Sequence, residues 1–126
     1  PNIWLGVTCE NQEQYDRRWA IASQIPAVVR FVSLEPLLGP IDTTQHQRKP
    51  DWVIAGCESG PNRRWAEMDW FRSLTEQCES AGVPLFIKQM EDWYSGKLVK
   101  MPVLDGRVWD QYPATAVELG GEPCLT

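Results

Sequence analysis

The stretch DWVIAGCESGPNRRW, Asp51 to Trp65, decides the fold. Trp52 to Ala55 is an unbroken apolar run without polar alternation, as expected of a strand covered on both faces, and such strands belong to parallel sheets. The run stops abruptly on Gly56-Cys57-Glu58-Ser59-Gly60-Pro61, and Arg63 and Arg64 follow closely. Residues of this kind at the carboxyl end of a buried strand point to the rim of an α/β sheet, where ligands bind.

The segments on either side repeat the pattern. Ile3 to Cys9 (IWLGVTC) is a short β-rich run. Asn11 then reads as a helix N-cap, with Gln14 in the capping-box position and Tyr15, Trp19 and Ala22 at helical spacing up to Pro26. Val28 to Leu34 (VVRFVSL) is a second strand, ended by Glu35-Pro36, and a polar loop runs from Leu38 to Pro50. After the third strand, Asp69 is placed to cap a helix carrying Trp70, Phe71, Leu74, Cys78 and Ala81, with Gly82 as its C′ residue. Pro84 to Gln89 (PLFIKQ) is a fourth strand, and Asp105-Gly106 between β-prone runs reads as a hairpin turn near 97–110.

Strands alternating with helices imply parallel pairing through right-handed crossovers. The expected fold is α/β: half of a β/α barrel, or a small open parallel sheet of about four strands with two main helices and a C-terminal β-hairpin. Residues 1–113 make one domain, and 114–126 read as a tail.

The composition narrows the function classes. The chain has 126 residues and a net charge of −5, without the basic footprint usual for nucleic-acid binding. No signal peptide and no apolar run of membrane-spanning length is seen, so a cytoplasmic protein is expected. The four cysteines, Cys9, Cys57, Cys78 and Cys124, form no C-x-x-C pair. They read as reduced thiols, with Cys9 and Cys57 at strand exits where they can be neighbours. His46 is the single histidine and reads as a solvated loop residue, so neither a metal site nor a nucleophilic dyad is expected.

All four strands end in polar groups. In a parallel sheet Glu10, Glu35, Glu58 and Lys88 share one rim, and neighbouring carboxylates there can divide into an acid and a base. Gly56 and Gly60 around the third exit allow positive φ and turn backbone N–H groups towards an anion, with Arg63 or Arg64 as its clamp. The spacing is neither a P-loop nor a nucleophile elbow. The binding set is Glu10, Glu35, Glu58, Ser59, Gly60, Arg64, Lys88 and Gln89. The tryptophans read first as core, and Trp93, next to the Lys88-Gln89 exit, is also placed where it could floor a pocket. The expected ligand is small and anionic or nucleotide-like, bound by a domain that is not a complete catalyst alone. The alternatives are an assembly module that closes its sheet by homodimerisation, and an acid/base enzyme using Glu35 and Glu58.

Five phrases, NIWLGVTCENQ, VRFVSLEPLLGPID, DWVIAGCESGP, WFRSLTEQCESAGVPLFIKQ and LDGRVWDQYP, resemble in order a family of uncharacterised bacterial and bacteriophage proteins. Members of that family look like radical S-adenosylmethionine proteins with a barrel-like fold and a three-cysteine motif in their N-terminal half. The resemblance implies that this chain corresponds to the C-terminal half. An iron–sulfur cluster and S-adenosylmethionine would then be expected only together with the missing half. The phrase G-x-I-x-G-x-x-E is half met, since Glu58 comes one position early after Gly56. Cys57 stands where the family often has glycine, and KQMEDW replaces a KQWGEW-like phrase.

Overall fold

A computed structural model of the chain describes residues 2–114. Seven strands and two helices follow one another as β1 (Trp4–Thr8), α1 (Gln12–Ala22), β2 (Val29–Leu34), β3 (Trp52–Gly56), α2 (Met68–Ala81), β4 (Leu85–Glu91), β5 (Leu98–Lys100), β6 (Val103–Leu104) and β7 (Arg107–Val108). The main sheet has the order β1-β2-β3-β4-β5, parallel from β1 to β4 and antiparallel between β4 and β5. It is a mixed α/β fold with an open sheet rather than a closed barrel. The tail from 115 onwards, Cys124 included, lies outside the described residues.

Side-chain alternation divides the strands between two faces. Leu5, Val7, Val32, Leu34, Val53, Ala55, Leu85 and Ile87 pack with Tyr15, Trp19, Phe71, Leu74 and Cys78 of the helices. The opposite face carries an aromatic layer of Trp4, Phe31, Trp52, Phe86 and Tyr112 around Ile54. Trp52 is its hub, with ring centroids of Trp4, Phe31, Phe86 and Tyr112 between 5.5 and 6.4 Å away. The β2–β3 connection contains no helix. It lies on the helical layer instead, where Thr43 O accepts from Tyr15 Oη, Arg48 O accepts from Trp19 Nε1, and Gln77 bonds both Thr43 and Ile41.

Three local expectations are revised. Helix α2 begins at Met68, with Glu67 at its N-cap making no side-chain cap bond, so Asp69 lies inside the first turn and does not cap it. The run Leu98–Lys100 leaves the hairpin and pairs with β4, so the hairpin proper is β6–β7, turning at Asp105 and Gly106 with φ of 52° and 85°. His46 is not a solvated loop residue. Its Nε2 meets Asp16 Oδ1 at 2.9 Å and its ring packs edge-on against Tyr15. Other readings hold: Asn11 caps α1 through Gln14 N, and Gly82 takes the left-handed conformation at the end of α2.

The two sheet edges differ. The outer edge of β4 is sealed twice, by β5 along Gln89–Glu91 and by residues 109–111 through Ile87 N to Trp109 O and Gln111 N to Leu85 O. Beside β1, Ile3 O accepts from Val28 N and Cys9 N donates to Ser33 O, so odd positions face β2, and Trp4, Gly6 and Thr8 turn their backbone groups to an edge that carries no other strand among the described residues. There Arg18 Nη1 donates to Thr8 O.

The Phe31 ring lies directly over Gly6, where an added Cβ would stand 2.3 Å from Cζ of the ring. The expected cost of Gly6→Ala is about 1–3 kcal/mol, because the ring must leave its contact with Trp52. Urea unfolding checks this. In a double-mutant cycle Phe31→Ala should remove most of that cost, whereas simple additivity would show that the ring is not the obstacle.

Candidate functional site

The parallel register brings the carboxyl ends of β1 to β4 to one rim, and the predicted polar exits meet there. Gly56 sits between Glu35 and Gln89, and a Cβ on it would touch both side chains at 3.4–3.6 Å. The missing side chain lets the two meet across β3: Gln89 Nε2 donates to Glu35 Oε1 at 3.3 Å and to Cys57 O at 2.7 Å. Lys88 Nζ stands 3.5 Å from the other Glu35 oxygen, and among the described residues it makes no hydrogen bond.

Instead of a cluster of unbalanced carboxylates, the rim holds ion pairs. Glu10 pairs with Arg18 at 3.7 Å, Glu35 with Lys88, and Glu58 with Arg64 at 2.8 Å. Arg18 lies on α1, two turns from the strand exits in sequence, and nothing in the motif pattern singles it out. Glu58 and Arg64 form a fork: Nε and Nη2 donate to the two carboxylate oxygens, and Arg64 N donates to Oε2. These bonds stabilise the charged form and hold the Glu58 carboxyl down at about 2.

The two consecutive arginines have different tasks. Arg63 is spent on structure: Nη1 donates to Gly60 O, Nη2 to Gly96 O, and Nε faces Glu91 Oε2 at 3.4 Å. It ties the loop after β3 to the β4–β5 turn, 33 residues away. Arg64 is exposed, and among the described residues its Nη1 has no hydrogen-bond partner. Gly60 has φ of 109°, so the positive φ read from the sequence is present there, while Gly56 serves close approach. Ser59 is exposed beside it.

Cys9 and Cys57 are fully buried in the helical-face core, and burial pushes both thiols up to about 11, so neither is a ready nucleophile. Among the described residues no group of three His, Cys, Asp or Glu is arranged to hold a metal ion, and no helix is long and apolar enough to cross a membrane. Next to the rim, a cavity of about 430 Å³ lies between the start of α2, the β4–β5 turn and the β6–β7 hairpin, with Met68, Met90, Trp93 and Leu104 among its walls. Trp93 is thus exposed rather than part of the core, and it lines this cavity. Its ring also meets that of Trp65, from the loop after β3, edge to face at 6.2 Å.

Since Glu58 titrates below an unperturbed carboxyl near 4.5, its pairing favours the folded loop above that value and is lost as pH falls from about 4.5 to about 2. A carbon-detected NMR titration of the Glu58 carboxyl should give a midpoint near 2, and Arg64→Ala should return it towards 4.5. An unshifted midpoint in the parent chain would mean that the fork is not formed in solution.

A family model described as Protein of unknown function (DUF5131) matches residues 1–113. No curated protein and no solved structure matches the chain. The matched span includes the five-stranded sheet, both helices and the hairpin, and the chain belongs to the DUF5131 family of proteins of unknown function.

Proposed function

We propose that the chain binds a small anionic or nucleotide-like ligand at the carboxyl rim of its sheet and is not a complete catalyst alone. One observation carries this reading: two rim cations are held in place by carboxylates that leave donors unspent. Arg64 keeps Nη1, and the Lys88 ammonium has an ion-pair partner at 3.5 Å but no hydrogen bond. Such donors receive a phosphate or carboxylate without reorganising first. Glu35 and Glu58 orient the two cations, Gln89 steadies Glu35, and Glu10 with its partner Arg18 stands at the first strand exit, while Ser59 and Gly60 present polar groups on the loop beside Arg64. The acid/base alternative has less support, because a carboxyl held at about 2 is neither a proton donor nor an effective base near neutral pH.

A second reading rests on the edge of β1, which carries no other strand among the described residues, and on the aromatic layer. Consecutive parallel strands with helices on one face and bulky side chains on the other are arranged as in half of a β/α barrel. This supports the likeness to the C-terminal half of radical S-adenosylmethionine-type proteins of bacteria and bacteriophages. A cysteine-bearing half would then bring the cluster and S-adenosylmethionine to this rim. A second copy at the same edge would be the homodimer.

For the rim, ribose 5-phosphate at 100 times its dissociation constant should stabilise the chain by about 2.7 kcal/mol, read as a thermal shift. Lys88→Ala and Arg64→Ala should each weaken binding about tenfold. A parent chain that neither ribose 5-phosphate nor inorganic phosphate stabilises would sink the reading. For the edge, light scattering at 100 µM, a concentration set for the experiment on the order of weak protein association, should show a dimer if two copies pair. A monomer leaves the edge to a different segment.

A further inference from the structure

The pair Trp65 and Trp93 is not explained by the core. Trp65 is 41% and Trp93 63% exposed, although burying such a ring is worth several kcal/mol. Both stand at the ligand-binding end of the sheet, Trp65 directly after Arg64 and Trp93 two residues beyond the end of β4.

Their positions are fixed rather than loose. Arg63 joins the two loops through Gly60 O, Gly96 O and Glu91, whose side chain is only 7% exposed. Asp92 Oδ1 accepts from Tyr94 N and Ser95 N and so shapes the turn that carries Trp93. Two rings 6.2 Å apart at 63° leave no slot for a third between them. Trp65 therefore props Trp93, whose remaining surface is open. Trp93 also walls the 430 Å³ cavity with Met68, Met90 and Leu104, a recess with room for a bicyclic base.

We propose that Trp93, propped by Trp65, is the stacking platform for the flat heteroaromatic ring of the rim ligand, which makes that ligand a nucleoside phosphate rather than a simple anion. This rests on the rim reading above: Arg64 Nη1 takes the phosphate and Trp93 the base. Stacking on an exposed tryptophan does not depend on which base is present, so the platform selects for a ring and leaves its identity to the walls. Arg63 is a positioning residue that holds the two halves of the platform together.

The test compares adenosine 5′-monophosphate with ribose 5-phosphate by calorimetry, on the parent chain, Trp93→Ala and Trp93→Phe. The parent should bind the nucleotide about tenfold more tightly than the sugar phosphate. Trp93→Ala should remove that advantage and leave ribose 5-phosphate affinity unchanged, and Trp93→Phe should restore most of it. Circular dichroism melting confirms that the variants fold, as expected for a side chain this exposed. Equal affinity of the parent for the two probes, or an unchanged advantage in Trp93→Ala, overturns the platform while the rim reading stands. If neither probe binds the parent chain, the rim reading fails and the platform fails with it.

Discussion

The structure depends on the need of β3 for cover on both faces. All five of its residues are buried, and neither helix nor solvent can serve both sides of a parallel strand. On one side the helices supply Tyr15, Trp19, Phe71 and Leu74; on the other, no helix is present among the described residues and large rings do the covering. Trp52 belongs to that second layer, and its Nε1 is satisfied by Gln111 O at 2.8 Å. The same bond fixes the segment that seals the first half of the β4 edge, so aromatic packing and edge protection are one arrangement. The asymmetry of the two edges follows from it. The C-terminal meander can reach β4, whereas β1 lies three strands away at the other side of the sheet.

The rim shows a second consequence of the same geometry. Bringing four polar strand exits together would place like charges side by side, a cost met by giving each carboxylate its own cation. Such pairs on an exposed rim contribute little to stability. What they contribute is placement: an Arg64 side chain that would sample many rotamers is held by two bonds to Glu58, and its backbone N adds a third. A preordered cation loses less entropy on meeting an anion, so under the proposed reading the pairing would favour binding without adding net charge.

How much was legible in the sequence depends on whether a feature is local. The four parallel strands, helix α1, the body of α2, the Asn11 cap, the Gly82 stop and the Asp105-Gly106 turn follow from patterns within a few residues, and they stand as expected. The start of α2 was missed by a few positions because an acidic residue in a first helical turn looks the same whether or not it caps. The pairing of Leu98–Lys100 with β4 was not visible, since a short β-prone run does not declare its partner. The same holds for the site. Glu35, Glu58, Lys88 and Gln89 were readable as strand exits, but Arg18 and the bond between His46 and Asp16 join elements about ten and thirty residues apart.

Arg63 and Arg64 make the limit concrete. They are identical, adjacent and equally placed behind a glycine turn, and no local rule separates them. The difference arises from what faces each one after folding. Arg63 turns towards the β4–β5 turn: the Gly60 and Gly96 carbonyls take its two terminal nitrogens, and the nearly buried Glu91 carboxylate lies 3.4 Å from Nε without a hydrogen bond. Arg64 turns outward to a carboxylate of its own loop and keeps a terminal nitrogen for something else. Replacing the first by lysine would discard the planar fork that joins two loops, while at the second a lysine would still present a charge to an anion. One arginine joins two loops across the fold, and the other stays with its own loop at the surface.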